Sequence, residues 1–283
     1  MKKTDEIKYI QISSLNFQDK FFDSLKNDYF EFEDWLARKS DKYAYVVFNE
    51  SQELTAFLLL QEEDGEEIGI VPELTGKRLK ISTFKIDESN HSGTSLGKRF
   101  LSIALREFAV KSELEKIYVT IFEQKQPTLV RLLNKYGFEN IGTKNNVEQV
   151  FSKNRIVKED VYKDYPFIVE LKNQRKYLLS IFPKYHNKMF SESEVKTETA
   201  QSKSSVYNNI EKVYLSGSSD AKKLKVGDII IPYRTGDGLG PAYYRSVVSA
   251  ITTVAEVKNI LEFKTERILL IMFVKILFLR TMN

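Results

Sequence analysis

The stretch best equipped for chemistry is 80–110, KISTFKIDESNHSGTSLGKRFLSIALREFAV, where a β-like run meets a small, polar loop that opens onto a helix-spaced run. Amides at the start of a helix have no carbonyl one turn earlier to accept them, and they sit at the positive end of the helix dipole. Small residues there let an anion approach the backbone, which makes the junction a cradle for a phosphate or diphosphate. Gly93, Thr94, Ser95 and Gly97 supply the small residues, and Lys98 and Arg99 add positive charge. The plainer reading of the same residues is a helix cap and a turn. Asp87, Glu88 and Glu123 stand at expected strand ends and are the carboxylates placed to act as a base, although solvated surface groups look the same in sequence. The chain has no cysteine, which excludes disulfide scaffolds, thiol catalysis and cysteine-zinc sites. Its two histidines, His91 beside the loop and His186 in FPKYHNKMF, are too few for a histidine-built metal site.

The elements around that loop follow from hydrophobic periodicity. Strands are expected at 7–12, 44–48, 53–61, 80–87, 116–123 and from 138 to 143, with helices at 16–27, 31–39, 96–110 and 127–135. In the third helix Leu96, Phe100, Ile103, Ala104 and Phe108 fall on one face. Residues 49–52 make the turn of a hairpin, and Pro127 opens the last helix. Such an order describes a mixed sheet flanked by helices, an α/β (α+β) unit.

At 283 residues the chain exceeds what one core usually holds, and 42% hydrophobic residues with 19 Phe and 15 Tyr are enough to fill two. The net charge of +4 conceals an asymmetry: 1–152 carries 21 Lys and Arg against 25 Asp and Glu, whereas 153–283 carries 22 against 14. A basic second half suits a polyanion, and equally suits simple solubility. Residues 153–190 read as an aromatic connector, 191–205 (SESEVKTETAQSKSS) as a solvated linker, and 206–283 as a small β domain. No apolar run follows the first lysines, so a cytoplasmic protein without a membrane partner is expected.

The segment Ser92-Gly93-Thr94-Ser95-Leu96-Gly97 resembles the coenzyme A signature of the GNAT N-acetyltransferases, Gln/Arg-x-x-Gly-x-Gly/Ala. Downstream, KIYVTIFEQKQPTLVRLLNKYGFENIGT is similar to the strand, helix and "GF" strand of that family, and the resemblance covers 1–152. It implies a GNAT-like fold using acetyl-coenzyme A, in which backbone groups of Phe84, Lys85 and Ile86 meet the pantetheine and Ser92 to Lys98 hold the pyrophosphate. Ser92 stands where the family has Gln or Arg, and Ser95 where it has its first glycine. The tyrosine that protonates the leaving thiolate in many members corresponds to Leu133 here. Tyr136, three residues on, is the substitute, with packing under the turn as its other reading, and Glu123 is the candidate base.

A second resemblance is carried by LKVGDIIIPYRT, 224–235, which is similar to the PUA-like superfamily, its ASCH branch in particular. It implies a small β-barrel whose Lys222, Lys223, Lys225, Arg234 and Arg245 face an RNA backbone, with Tyr233 or Tyr243 stacking on a base. The tail from about 267, ERILLIMFVKILFLRTMN, has an apolar run broken only by Lys275, too short to span a membrane. It is either a native apolar helix or the product of a shifted reading frame. The combined expectation is an acetyltransferase acting on a primary amine, on or near RNA. An inactive GNAT-like binding protein and a toxin acetylating RNA or aminoacyl-tRNA are the alternatives, with homo-oligomerisation open.

Overall fold

The computed structural model describes residues 6–87, 95–167, 173–190, 210–262 and 279–282. Ser92, Gly93, Thr94, His91 and Glu88, the 191–205 segment and most of the apolar tail lie outside them. Two compact units form, Met1–Arg131 with Phe138–Asn154, and Leu132–Gly137 with Arg155–Asn283.

The first unit holds β1 (Lys8–Gln11), α1 (Asp23–Asp28), α2 (Phe32–Ala37), β2 (Tyr43–Phe48), β3 (Leu54–Glu63), β4 (Ile70–Val71), β5 (Arg78–Ile86), α3 (Leu96–Val110), β6 (Lys116–Ile121), most of α4 (Pro127–Lys135), β7 (Glu139–Lys144) and β8 (Glu148–Asn154). They form one eight-stranded mixed sheet in the order β1-β2-β3-β5-β6-β8-β7-β4. Each pairing is antiparallel except β5 with β6, and α3 is the crossover that a parallel pair requires. On one face the 3-10 turn before α1 and the helix α2 cover Phe57 and Leu59 of β3 through Phe21, Phe22, Phe32 and Leu36. Phe84 of β5 points to the other face, where its ring meets Phe100 of α3 edge-on at 5.8 Å.

Several expected elements differ in detail. The helix expected at 16–27 begins later, because the Asp19 carboxylate accepts the Phe21 amide and starts a 3-10 turn at Lys20–Phe22 that leads into α1. The expected strands stop at residue 143, yet β8 follows across a tight turn at Asn145 and Asn146, whose φ of 51° and 58° suit a hairpin.

The second unit holds β9 (Lys176–Ile181), α5 (Pro183–Met189), β10 (Glu211–Lys212), β11 (Ile229–Arg234), α6 (Ala242–Arg245), β12 (Val247–Val248), β13 (Ile251–Val254) and β14 (Leu279–Met282). The aromatic connector supplies β9, which runs parallel to β11 along six residue pairs, so 176–190 is part of this unit. Residues 213–217 are coil, and 242–254 is divided among α6, β12 and β13. Among the described residues the sheet runs from β9 through β11, β12 with β13, and β14 to β10, and no pairing closes it into a barrel. The described residues of the apolar tail form β14, paired to both β13 and β10.

Candidate coenzyme site in the first unit

The site begins with a parallel pair that does not stay paired. Only Arg78, Leu79 and Lys80 of β5 face Lys116, Ile117 and Tyr118 of β6. Beyond them, among the described residues, β5 continues to Ile86 bonded to β3 alone, and β6 continues to Ile121 bonded to β8 alone. A bulge accompanies the split: Leu59 of β3 faces Thr83 and Leu60 faces Ile81, so Ser82 is an extra residue on β5. Bulges bend the strand that carries them and increase its twist. The Ser82 hydroxyl donates to Gln61 Oε1 at 2.7 Å, which holds the bulge to β3. Among the described residues no other strand takes the open edge of β5 from Ile81 to Ile86, so a row of backbone donors and acceptors faces the gap.

The narrow end of the gap is locked by side chains. Arg78, 1% exposed, donates to the carbonyls of Gly65 and Gly76 and lies 3.4 Å from Glu63 Oε2. Lys80 bridges Glu63 and Glu67 at 3.2 and 2.7 Å, and the buried Tyr118 donates to Glu63 at 2.6 Å. Burial, then the bond to Glu63, pushes the Tyr118 phenol far above its ordinary range.

At the wide end the three expected pantetheine residues are placed as a strand edge. Phe84 is anchored on α3, and the Lys85 ammonium is turned away to the carbonyl of Phe21 and to Ser24 Oγ, over the Phe21 ring at 4.7 Å. Burial lowers the pKa of that lysine. Lys85 therefore has only backbone to offer the gap, as does its neighbour Ile86, paired with Ala56.

Of the expected pyrophosphate residues, Ser95, Leu96, Gly97 and Lys98 are described. Ser95 precedes α3 with φ 54° and ψ 30°, and its hydroxyl caps nothing. Left-handed backbone is easy for glycine and strained for other residues, which explains why a glycine suits this position and what serine costs there. Leu96 turns its side chain into the core, and the Arg99 amide donates to the Ser95 carbonyl at 3.1 Å, closing a turn at the start of α3. Ser92, Gly93 and Thr94 are outside the described residues.

The expected catalytic residues lie on elements other than β5 and α3. Glu123 is exposed in the 3-10 turn Glu123–Lys125 beyond β6. Tyr136 belongs to the second unit, is 0% exposed, and donates its hydroxyl to Glu211 at 2.8 Å. The phenol is thus buried and tied to a buried carboxylate. The pair that sequence reasoning missed is Tyr29 with Glu148, bonded at 2.6 Å across 119 positions of the chain.

In the second unit Arg234, expected to face a phosphate backbone, is instead fully buried: it donates to the Arg245 carbonyl at 2.7 Å and to Asn187 Oδ1 at 3.3 Å. Arg245 is bound to Asp237 through two nitrogens, which holds that carboxyl far below its usual range. Lys222, Lys223 and Lys225 are exposed, Lys223 paired with Asp220, while Tyr233 is half-buried and Tyr243 projects outward. Gly227 makes the turn into β11 at φ 91°, and Asp228 fixes it by binding Arg175 and the Lys225 amide.

No family model matches the chain, and no curated protein does. Among solved structures it is similar to NAA60 of Arabidopsis thaliana in complex with a bisubstrate analogue, at 13% identity and TM-score 0.39, over 53% of this chain and 98% of that one. It is similar to an aminoglycoside 6'-acetyltransferase type Ii, at 14% identity and TM-score 0.38, over 54% and 99%. A GNAT-family acetyltransferase from Streptococcus pneumoniae follows at 13% and 0.37, over 53% and 98%. Likenesses this distant decide nothing about activity, which has to come from the gap and the helix that follows it. No helix among the described residues is long and apolar enough to cross a membrane, and none of their carboxylates and histidines group as metal ligands.

Proposed function

We infer that the first unit is an acetyl-coenzyme A-dependent N-acetyltransferase of the GNAT type, acting on a primary amine. The observation that carries this reading is the parallel pair β5 and β6, joined over three residues and then opened beside a row of unused backbone groups. A pantetheine arm carries amides that can pair with such an edge as a strand would. A diphosphate fits the start of α3, whose first turn lacks a side-chain cap from Ser95. The residues present fit the coenzyme: Phe84, Lys85 and Ile86 through their backbone, and Ser95, Leu96, Gly97 and Lys98 through the first turn. When bound, it supplies an activated acetyl thioester. The chain's part is to hold the coenzyme by main-chain groups and to keep the gap from closing.

Isothermal titration of acetyl-coenzyme A into the full chain, followed by thiol release in the presence of primary amines, tests this. Saturable binding with amine-dependent thiol release is expected. Binding without release would leave a GNAT-like binding protein, and absence of binding would overturn both. An RNA-directing role for the second unit would fall to Lys222, Lys223, Lys225 and Tyr243, the exposed members of the expected set. A barrel of PUA-like type there would need closing pairs beyond those described.

A further inference from the structure

Glu148 opens β8 and is 8% exposed. Because Ile121 faces Gln149, Glu148 lies one residue past the last β6–β8 pair, level with Phe122, at the end where β5 and β6 stand apart. Alternation along β8 puts it on the face of Val150, which packs with Tyr118. From the connection between α1 and α2, Tyr29 donates its hydroxyl to Glu148 Oε1 at 2.6 Å and lays its ring 5.5 Å from that of Phe122. Burial first, and the bonded carboxylate second, raise the Tyr29 pKa, so the phenol keeps its proton and goes on donating.

One hydroxyl does not offset the several kcal/mol needed to take a carboxylate out of water. Among the described residues no lysine or arginine pairs with Glu148. Two lysines nearby are engaged elsewhere: Lys125, over the Phe122 ring, binds Asp28, and Lys144, across from Glu148 on β7, binds Glu67 at 2.7 Å. Among the described residues the site holds a buried, oriented carboxylate with no paired cation.

We propose that Glu148 receives a cationic group of the acceptor, and that the acceptor is a small di- or polyamine. This rests on the acetyltransferase reading of the first unit. A nitrogen that attacks a thioester needs a free lone pair, so a carboxylate serves little by gripping that nitrogen as an ammonium. A second ammonium is different, since it stays charged throughout. Neighbouring strands lie about 5 Å apart, so a side chain on β8 is set off by one strand from the β6 edge that borders the gap. That offset suits the few-carbon spacing between the nitrogens of a polyamine. Glu148 holds the non-reacting ammonium, and Tyr29 is a positioning residue that keeps the carboxylate turned to receive it.

The test is isothermal titration of spermidine and of propylamine into the full chain, with and without coenzyme A. Wild type should bind spermidine, Glu148→Gln should bind it about tenfold or more weakly, and propylamine should not distinguish the two. Tyr29→Phe, with the carboxylate intact, should weaken spermidine by about threefold without changing propylamine, and it carries the test if Glu148→Gln fails to fold. Equal spermidine affinity in wild type and variants, or none in wild type, overturns the inference. Coenzyme binding without Glu148-dependent spermidine binding sinks this inference alone. Glu148-dependent spermidine binding without coenzyme binding upholds the cation site and sinks the acetyltransferase reading.

Discussion

The two ends of the β5–β6 pair are built on opposite rules. At the narrow end, side chains do the holding: Arg78, Lys80, Glu63, Glu67 and Tyr118 form a closed set of charges and hydrogen bonds around three paired residues. At the wide end the side chains are turned elsewhere, Phe84 to α3 and Lys85 to α1, and bare backbone is left facing the gap. A gap between hydrogen-bonding strands would otherwise tend to zip shut, so the lock and the Ser82 bulge set where pairing stops. On the proposed reading, stability and coenzyme binding are divided between the two ends of one strand, and the division is open to test.

The largest effect is expected at the lock. Arg78→Met leaves the Glu63 carboxylate without its buried guanidinium and the carbonyls of Gly65 and Gly76 without a donor, and should cost about 3 kcal/mol or more in denaturant unfolding. Coenzyme affinity measured on the folded fraction should change little, which separates the ends. Next comes the wide end: Gly97→Asp places a negative charge in the first turn of α3, where it should lower acetyl-coenzyme A affinity by about a hundredfold with the unfolding midpoint almost unmoved. If both variants lose stability and binding together, the two ends are not independent.

The alkaline limb of stability gives a finer measure. Tyr118 has a folded pKa raised above its unfolded value near 10, so its contribution is fully present below about pH 10 and is lost as the pH rises beyond that toward the folded value. Tyr118→Phe should therefore flatten the fall of unfolding free energy above pH 10 by up to about 1.4 kcal/mol per pH unit, the slope of one proton. The smallest effect belongs to Ser95→Gly. It relieves the φ of 54° and should raise stability by less than about 1 kcal/mol, part of the gain being returned through the greater freedom of glycine when unfolded. A gain in coenzyme affinity alongside it would sharpen the assignment of this turn.

Local pattern carried far in places. The helix-spaced run 96–110 is α3, with Phe100, Leu101, Ala104, Leu105 and Phe108 wholly buried, and Pro127 opens α4 at the residue where its spacing starts. Both signals are short-range, a period of 3.6 and a ring that fits a first turn. The misses lie where context overrides pattern. β8 carries Glu148, Gln149, Ser152 and Lys153 among its seven residues, so its alternation reads as polar loop, yet it pairs on both edges and buries Ser152 and Lys153. Arg234 and Tyr136 read as surface or catalytic groups because their types can serve there, and only the fold shows that both are buried and hydrogen-bonded inside the second unit.

What the chain's order of residues settled by itself is local: which runs coil, which extend, and that a small-residue loop ends in the positive pole of a helix, since each depends on neighbours a few positions away. What only tertiary structure decided is non-local. Strand order, the point at which β5 and β6 part, and the meeting of Tyr29 with Glu148 come from contacts between distant segments. Their free energy is set by which surfaces exclude water together, and that is invisible until the whole sheet has formed.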